Sequence, residues 1–592
     1  MAAADNTTDL QKALKICRHY FVTAGFFSLF INIIMLVPPL YMLQVYDRVV
    51  ASRSESTLLL LTLLVIVLLT TMGLLEWVRS QILVKAGAKL DLLLNERLFN
   101  ATFKNSLLSG GAQSSSQPIS DLTSLRQFMT GNGLFAFFDA PWLPIYIFVM
   151  FVFHPLFGWS AVFAAIVLVI LAYVNEKTSS GPLGEANKVA IGSTNYLNKN
   201  LRNVEVIESM GMLQNIRHRW LKMNYEVINL QAKASRRAGL ITSISKSFRM
   251  IMQSAVLGLG AYLAINNEIT PGLMIAGSIL LGRALAPIDL MIGSWKGFVS
   301  SRGAYNRLNE ILTIVPEDKE TMPLPPPEGI LSVEAIVVTP PSAKMPILKG
   351  VSFQLNKGES LAVVGPSAAG KSTLARALLG IWPAINGKVR LDGADIYQWD
   401  RIALGQYIGY LPQDIEMFDG TISENICRFG KLDSKAIVEA AKQAGVHEMI
   451  LRLPDGYDTV IGSHSGVLSG GQRQRLGLAR AVYGKPAFII LDEPNSNLDE
   501  QGEQALSIAI NNLKANGSTV VIISHKVNVI SHVDKILVLA DGAVTMFGLR
   551  DDVLKKLAEN TKASQLKSNP KDANQAGLTK PTVPNIKPSI PE

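Results

Sequence analysis

The segment TLLLLTLLVIVLLTTMGLL, which begins at Thr57, is almost free of polar groups. A helix that crosses the hydrocarbon core of a bilayer needs about 20 predominantly apolar residues. The run is long enough for that, and it predicts a membrane-spanning helix over residues 57–78.

Five further apolar runs precede residue 300. The last two are rich in Gly and Ala, which suits close packing between membrane helices. Hydrophobic residues make up 48% of the whole chain and charged residues only 17%, against about 25% charged in soluble domains. We therefore expect a cytoplasmic segment over residues 1–20 and an all-α transmembrane domain over 21–310, with the other five helices at 21–43, 135–153, 156–174, 250–265 and 271–292.

Basic residues are concentrated on one side of these six helices. They precede the first helix and recur in the two long connections, as Arg79 and Arg126 in one and Arg236 in the other. The short loops HP and NNEIT carry none, although Arg48 and Arg53 are exceptions in the first outer loop. By the positive-inside rule, both termini and both long connections should lie in the cytoplasm. We interpret the net charge of +9 as membrane topology and expect no nucleic-acid partner.

The chain changes character at a proline-rich linker over residues 311–330, which contains PEDKETMPLPPPEGI. Beyond it, the strand-like runs LAVVG, AFIILD and TVVIIS alternate with helical patterns. This alternation predicts a parallel α/β domain over residues 331–558. The final residues, 559–592, are polar and Pro-rich and predict a disordered tail.

The sequence GPSAAGKS follows the strand LAVV and precedes the helical pattern TLARALLG, which is the context that a P-loop requires. Glycines allow backbone N–H groups to close around phosphate oxygens, and the helix N-terminus adds a favourable dipole. The predicted nucleotide-binding residues are Gly365, Pro366, Ser367, Ala368, Ala369, Gly370, Lys371, Ser372 and Thr373. Lys371 should reach the β- and γ-phosphates of ATP, and Ser372 should bind Mg²⁺.

FIILDEP is a hydrophobic strand that ends in two acids. Asp492 is placed to hold Mg²⁺, and Glu493 is placed to orient or deprotonate the attacking water. Acids that merely cap a strand end are the alternative for such a pair in isolation.

LSGGQRQRL lies just before this strand and opens a helix, so it forms a second anion-binding helix N-terminus. It resembles the signature sequence of ABC ATPases, and other elements of that family follow in register. By this resemblance, Gln413 is the Q-loop residue and a Mg²⁺ ligand with Ser372 and Asp492, and the implied catalytic set is Glu493, His525, Gln413 and Lys371. Asp499 matches the D-loop. The signature residues that would close over ATP from the opposite subunit of a homodimer are Ser469, Gly470, Gly471 and Gln472.

One position departs from the family pattern. ABC ATPases usually stack an aromatic side chain on adenine about 30 residues before the P-loop lysine, but this chain has Pro-Pro at Pro340. Apolar packing by proline is then the substitute, with looser nucleotide specificity.

Short motifs in the membrane half resemble the type I secretion branch of the ABC exporters, in particular exporters of metalloproteases, lipases and haem-binding proteins. They are PPLYMLQVYDRV, FFDAPWLPIY, EVIESMGM and LGRALAPID. The expected fold is a six-helix exporter domain of type IV-like architecture followed by an α/β P-loop ATPase domain.

The resemblance implies a homodimer in the bacterial inner membrane that exports an unfolded protein with a C-terminal secretion signal. Expected partners are a periplasmic membrane-fusion adaptor, an outer-membrane channel of TolC type, and a secreted RTX-type protease, lipase or haem-binding protein. Two alternatives remain open: a lipid or drug exporter of the same architecture, and a non-transporting ATPase attached to the membrane as a regulator.

The stretch FDAPWLP places an acid and two prolines at the start of the third predicted helix. Prolines are tolerated in the first turn of a helix, and an acid there meets the positive end of the helix dipole. A well-formed helix start is therefore one interpretation. The other is that Asp139 and Trp142 border the entrance for the exported polypeptide.

Overall fold

The computed structural model describes residues 7–111, 116–317, 324–341, 343–462, 468–524, 526 and 530–567. The chain forms two compact units and passes from the first to the second between residues 318 and 319. The first unit is helical, and the second combines helices with β-sheets, so the predicted fold class is confirmed.

The first unit contains ten α-helices among the described residues. They are α1 (Asp9–Ile34), α2 (Val37–Gln44), α3 (Glu55–Leu108), α4 (Gln117–Thr130), α5 (Asn132–Asp139), α6 (Leu143–Phe153), α7 (Pro155–Leu201), α8 (Val204–Ser209), α9 (Leu213–Ile265) and α10 (Pro271–Ile314).

Six helical segments of this unit are long and apolar enough to cross a membrane. Four of the helices, α3, α7, α9 and α10, have 54, 47, 53 and 44 residues. The apolar runs in the sequence thus mark only part of each helix. Helix α10 also continues to Ile314, into the segment predicted as linker.

The first predicted span, 21–43, is not one continuous helix. Helix α1 ends at Ile34, α2 begins at Val37, and a π-helix follows over Val45–Val50. Pro38 and Pro39 explain the interruption, because each lacks the N–H group that would continue the α-helical hydrogen-bond ladder.

The third predicted span, 135–153, is also interrupted. Helix α5 ends at Asp139, a 3₁₀ turn covers Ala140–Trp142, and α6 follows. Pro141 is the second residue of the 3₁₀ turn, and Pro144 is the second residue of α6. A missing N–H group costs least in the first turn of a helical segment.

The π-helix that follows α2 is joined to the last long helix, α10. The Asp47 carboxylate accepts hydrogen bonds from the Gly272 backbone N–H (2.9 Å) and from the Thr270 hydroxyl. Thr270 is itself the N-cap residue of α10. An acidic group at this position satisfies unpaired N–H groups and meets the positive end of the helix dipole.

Two apolar clusters stabilise the first unit. One joins α6, α7, α9 and α10 and includes the fully buried Tyr146, Phe157 and Leu168. The other joins α1, α3, α4 and α10 around Leu94 and Leu98.

The second unit contains twelve strands and eight α-helices among its described residues. The strands are β1 (Leu331–Val338), β2 (Leu348–Leu355), β3 (Ser360–Val364), β4 (Asn386–Leu391), β5 (Ala394–Asp395), β6 (Ile408–Leu411), β7 (Gly420–Thr421), β8 (Val460–Ile461), β9 (Phe488–Asp492), β10 (Thr519–Ile523), β11 (Lys535–Ala540) and β12 (Ala543–Leu549). The helices are α11 (Lys371–Leu378), α12 (Arg401–Gly405), α13 (Ile422–Ile426), α14 (Ser434–Gln443), α15 (His447–Leu451), α16 (Gly470–Val482), α17 (Glu500–Ala515) and α18 (Arg550–Lys567).

The main sheet has the strand order β12-β11-β3-β10-β9-β6. Strands β11, β3, β10, β9 and β6 run parallel, and β12 pairs antiparallel at the edge. Strands β9 and β10 are buried along their whole length, which explains their continuous apolar sequences. Helix α18 extends to Lys567, so the predicted disordered tail begins within a helix, and residues 568–592 lie outside the described residues.

Candidate functional site

The loop between β3 and α11 has the backbone conformation of a tight anion-binding turn. Gly365 has a φ of +154° and Gly370 a φ of +99°, and a Cβ atom at Gly365 would collide with the Leu539 carbonyl oxygen. Ala368 also adopts a left-handed φ, of +65°. The loop leads directly into the N-terminus of α11, which supplies further free N–H groups.

Lys371 lies folded against this loop. Its Nζ atom donates hydrogen bonds to the carbonyl oxygens of Gly365 and Pro366, each at 2.9 Å, and the residue is 8% exposed. Burial lowers the pKa of the Lys371 ammonium group, and the nearby Glu493 and Asp492 carboxylates oppose that shift. Pro366, Ser367 and Ala368 of the loop are exposed to solvent. Ala369, and Thr373 in the first turn of α11, are buried.

The parallel order β3-β10-β9-β6 places the carboxyl ends of four strands at one edge of the sheet. Ligands of open α/β sheets bind outside such an edge. The P-loop follows β3, Asp492 and Glu493 are at the end of β9, and Gln413 follows β6. The structure therefore brings these predicted residues together.

Asp492 is 4% exposed and accepts a side-chain hydrogen bond from Ser372. Burial raises the pKa of Asp492, and the Ser372 hydrogen bond and the nearby Lys371 oppose this rise. A carboxylate, a hydroxyl and an amide oxygen are the hard ligands that Mg²⁺ prefers, and Mg²⁺ commonly takes only one or two carboxylates besides phosphate oxygens. Asp492, Ser372 and Gln413 fit that pattern. The described residues contain no group of three His, Cys, Asp or Glu side chains that would hold a metal by themselves.

Glu493 and Gln413 are in direct contact. Gln413 Nε2 donates to Glu493 Oε2 at 3.3 Å. The Glu493 backbone N–H donates to the Ile523 carbonyl at 2.9 Å, and Glu493 adopts a φ of +48°. Non-glycine residues in this region are strained, and such strain is concentrated at functional sites. The arrangement holds a carboxylate beside Lys371 and Asp492, where it can act as a base.

Ser469 is the N-cap of α16 and forms a capping box with Gln472. The Ser469 hydroxyl accepts from the Gln472 N–H (3.3 Å), and the Gln472 side chain accepts from the Ser469 N–H (2.8 Å). Gly470 and Gly471 open the helix, and a Cβ atom at Gly471 would lie 2.7 Å from the Asn497 carbonyl oxygen. This close approach leaves no room for a side chain and explains why position 471 is a glycine.

Gln474 is a site residue that the sequence did not reveal. It is 2% exposed, its Nε2 donates to the Glu493 carbonyl (3.1 Å), and its Oε1 accepts from the Asn497 N–H (2.9 Å). It thereby ties α16 to the segment after β9. Gln474 lies one helical turn after Gly470, on a buried face of α16. The spacing in the sequence does not identify its hydrogen-bond partners.

Two predicted residues differ from the others. Asp499 is the N-cap of α17 and accepts from the Gly502 N–H at 2.9 Å, so within this chain it caps a helix. His525 lies outside the described residues, although its neighbour Ser524, directly after β10, is buried.

The segment at Pro340 contains no aromatic side chain, as the sequence indicated. Pro340 itself is buried, and its carbonyl accepts from the Ala343 N–H at 2.9 Å. Pro341 is exposed, and Met345 in the same loop is 76% exposed. Pro346 is exposed as well, so the described part of the loop presents apolar groups to solvent although it has no aromatic side chain.

Asp139 and Trp142 lie far from this site in sequence, at the break between α5 and α6. The Asp139 carboxylate pairs with Arg79 of α3 and accepts from Asn32 of α1. Its side chain is 17% exposed, so most of it faces protein rather than solvent. Trp142 is partly exposed.

Two family models match the chain. The ABC transporter transmembrane region matches residues 21–285, and the ABC transporter model matches residues 348–496.

Three curated relatives match more than nine-tenths of this chain. The type I secretion system ATP-binding protein PrsD of Rhizobium meliloti (strain 1021) is 43% identical over 92% of this chain and 94% of that protein. The toxin RTX-I translocation ATP-binding protein of Actinobacillus pleuropneumoniae is 26% identical over 91% of this chain and 76% of that protein. The leukotoxin translocation ATP-binding protein LktB of Mannheimia haemolytica is 27% identical over the same shares.

A solved structure of a bacterial Atm1-family ABC exporter with ATP bound has the same fold, with a TM-score of 0.79 and 22% identity over 94% of this chain and all of that chain. The two family models and the 43% identity to PrsD show that the chain belongs to the ABC transporters and, within them, to the ATP-binding proteins of type I secretion systems, multi-pass membrane proteins that couple ATP hydrolysis to transport.

Proposed function

We propose that this protein exports an unfolded polypeptide with a C-terminal secretion signal across the bacterial inner membrane, as the energising component of a type I secretion system. One observation carries the proposal: a single chain contains six helices of membrane-spanning length and a P-loop unit. In that unit, Lys371, Asp492 and Glu493 lie together at one edge of the sheet. Similarity to type I secretion proteins along nearly the whole chain supports a protein as the cargo.

In the proposed reaction, Lys371 exchanges its two carbonyl partners for the β- and γ-phosphates of ATP, while backbone N–H groups of residues 367–373 surround the phosphate oxygens. Ser372, Asp492 and Gln413 would hold Mg²⁺, which neutralises charge on the transferred phosphoryl group when bound. Glu493 orients or deprotonates the attacking water, and Gln413 holds the Glu493 carboxylate in place. His525 would contact the γ-phosphate.

The proposed active form is a homodimer with two ATP sites. Each site consists of the P-loop of one subunit and the α16 N-terminus of the other, where Ser469, Gly470, Gly471 and Gln472 close over the γ-phosphate. The glycines at the start of α16 support this, because they leave the helix end open to an anion. Asp499 would lie at the same interface.

In the cell, we place the second unit and both termini in the cytoplasm. A periplasmic membrane-fusion adaptor and an outer-membrane channel would complete the path for an RTX-type protease, a lipase or a haem-binding protein. Asp139 and Trp142 are proposed to border the polypeptide entrance, where the interruption between α5 and α6 breaks the regular helix surface.

A secretion assay tests the proposal. Cells that express this protein, an adaptor and an outer-membrane channel should release a reporter fused to a C-terminal secretion signal. Glu493→Gln should abolish release and lower ATP hydrolysis by about 100-fold or more, as expected for loss of a general base. Glu448→Gln, at an exposed position on α15, is the matched control.

Lipid or drug export is the alternative function. It predicts ATP hydrolysis that lipids or drugs stimulate and no release of the reporter with any adaptor, and that result would contradict protein export. An intact rate of ATP hydrolysis that drives no transport of any kind would instead indicate a membrane-attached regulator.

A further inference from the structure

Arg428 lies in the turn after α13, outside the predicted nucleotide site. Both Arg428 and Phe429 adopt left-handed backbone conformations, with φ values of +59° and +58°. Two consecutive non-glycine residues in this region are unfavourable, so the surrounding contacts must hold them there.

The Arg428 side chain supplies those contacts. Its guanidinium group donates five hydrogen bonds, all to backbone carbonyl oxygens, and an arginine has five N–H donors in total. The acceptors are the carbonyls of Arg480 (3.0 Å from Nε), Gly405 and Ile408 (both 2.8 Å from Nη1), and Ala481 and Tyr483 (3.1 and 3.2 Å from Nη2).

Two of these carbonyls, those of Arg480 and Ala481, belong to the last turn of α16, and the third belongs to its C-cap residue, Tyr483. The N-terminus of the same helix carries the signature residues. The last carbonyls of a helix lack partners within it, and a cation there also meets the negative end of the helix dipole. Arg428 thus caps α16 with a side chain from elsewhere in the chain. The other two carbonyls are those of Gly405, the last residue of α12, and Ile408, the first residue of β6, which is the strand that leads to Gln413.

Helix α16 and β6 are in close contact along this seam. A Cβ atom at Gly409 of β6 would collide with the Ala481 carbonyl of α16. A second arginine, Arg480 of α16, donates to the Glu416 carbonyl (3.2 Å), and its guanidinium lies 5.1 Å from the centre of the Phe418 ring. The segment that follows Gln413 is therefore joined to α16 as well.

The other half of α16 is fixed by Gln474, which bonds to Glu493 and Asn497. Arg428 and Gln474 therefore hold the helix near its two ends. A helix held in this way presents Ser469 and Gly471 at a defined distance from the end of β6.

We propose that Arg428 is a positioning residue for ATP hydrolysis, which fixes the signature helix α16 against β6 so that the signature of one subunit closes correctly over ATP on the other. The inference rests on the proposed homodimeric ATP site. It assigns Arg428 no contact with the nucleotide.

The test uses the full-length protein in lipid nanodiscs. Arg428→Lys keeps the charge but cannot reach five carbonyls, and Arg428→Ala removes the group. Arg452→Ala is the matched control, because Arg452 is exposed at the end of α15. Three quantities are measured for each variant: the Kd for a fluorescent ATP analogue without Mg²⁺, the kcat and KM for ATP hydrolysis, and the fraction of nucleotide trapped by vanadate.

Positioning predicts that Arg428→Lys keeps the Kd within about twofold, because the P-loop is untouched, while kcat and vanadate trapping fall at least about tenfold. Arg428→Ala should follow the same pattern with a larger loss, and Arg452→Ala should match the wild type. A kcat within twofold of the wild type for Arg428→Lys would overturn the proposal. Equal losses in Kd and kcat would overturn it too, because they would indicate general unfolding.

The outcome is independent of the cargo. Failure of the wild type to secrete the reporter, with normal ATP hydrolysis, would contradict protein export alone. Normal trapping by a Ser469→Ala, Gly471→Ala double variant would contradict the signature role on which Arg428 depends.

Discussion

Arg79 Nη1 and Asp139 Oδ1 lie 2.8 Å apart inside the membrane unit, and they join α3 to the end of α5. Arg79 also donates to the Ser28 hydroxyl (2.7 Å), and Asp139 accepts from Asn32 (3.1 Å), which in turn accepts from Tyr146 (2.9 Å). Arg79 is 5% exposed. Arg79 is one of the basic residues from which the topology is predicted, and it also belongs to a buried polar network of four helices.

Arg79→Ala should lower the free energy of unfolding by about 3–5 kcal/mol, because it leaves a buried carboxylate without its cation. Unfolding by denaturant in detergent measures the effect. Arg302→Ala is the control, since Arg302 is 64% exposed and lies 3.8 Å from Glu176, and it should cost about 0–1 kcal/mol. Equal effects of the two substitutions would show that the Arg79 pair is no more important than a surface pair.

Asp139→Asn addresses the proposed polypeptide entrance separately. If Asp139 only holds Arg79, the variant should lose stability and keep normal secretion per folded molecule. A loss of secretion with unchanged ATP hydrolysis and unchanged unfolding would instead support a direct role at the entrance. Quantified secretion, normalised to folded protein in the membrane, distinguishes the two outcomes.

Asp492→Asn should stabilise the nucleotide-free protein while it reduces ATP hydrolysis by about 100-fold or more. Burial raises the pKa of Asp492, so its ionised form costs folding free energy, and stability falls as pH rises from the unfolded pKa through the folded one. The neutral amide removes that cost. Thermal unfolding at pH 7 without nucleotide measures it, with the exposed Asp455→Asn as control. A lower Tm for Asp492→Asn would contradict the prediction.

Asp534 should show the opposite pH dependence. Burial raises its pKa, but hydrogen bonds from Lys514 and Ser360 outweigh burial, and the net pKa is lowered. The resulting stability is present above the unfolded pKa, about 3.9 for Asp, and it is lost as pH falls through the lower folded pKa. Asp534→Asn should therefore destabilise the protein at pH 7, and its difference from the wild type should shrink below about pH 4. A difference that stays constant between pH 7 and pH 3 would refute the assignment.

Asp47→Ala should weaken the start of α10. The substitution removes the acceptor for the Gly272 N–H, and loss of an N-terminal cap costs about 0.5–2 kcal/mol. Hydrogen exchange of the peptide that contains residues 270–275 should accelerate, whereas peptides from the middle of α10 should be unchanged. Asp47→Asn, which keeps an oxygen acceptor, should have a smaller effect. Unchanged exchange in Asp47→Ala would mean that another group satisfies Gly272.

The sequence was most informative where function depends on a short contiguous segment. The P-loop, the two acids at the end of β9 and the glycines that begin α16 each lie within or next to the strand or helix that presents them. Fully buried parallel strands have continuous apolar sequences, so the order of strands and loops could be predicted. Gln413 and Glu493 were assigned to one site by the family resemblance, and the parallel strand order explains why the structure brings them together.

The remaining features depend on contacts between distant segments. Arg79 and Asp139 are separated by 60 residues, and Arg428 and Arg480 by 52. No local sequence pattern shows that Arg428 binds five backbone carbonyl oxygens, because every residue type carries such an oxygen. The sequence shows prolines at 38 and 141, where the structure has helix interruptions. Whether a proline kinks, ends or begins a helix depends on the packing around it.

The four longest helices differ in their internal prolines. Helices α3 and α9 contain no proline, whereas α7 contains Pro182 and α10 contains Pro287. At 1.5 Å per residue, α3 is about 80 Å long, so a tilt of about 5° about one end moves the other end by about 7 Å. A small rotation among the apolar segments would thus become a displacement larger than one helical turn. The proline-free pair can act as a rigid lever arm, and the proline-containing pair provides the points at which the unit can bend.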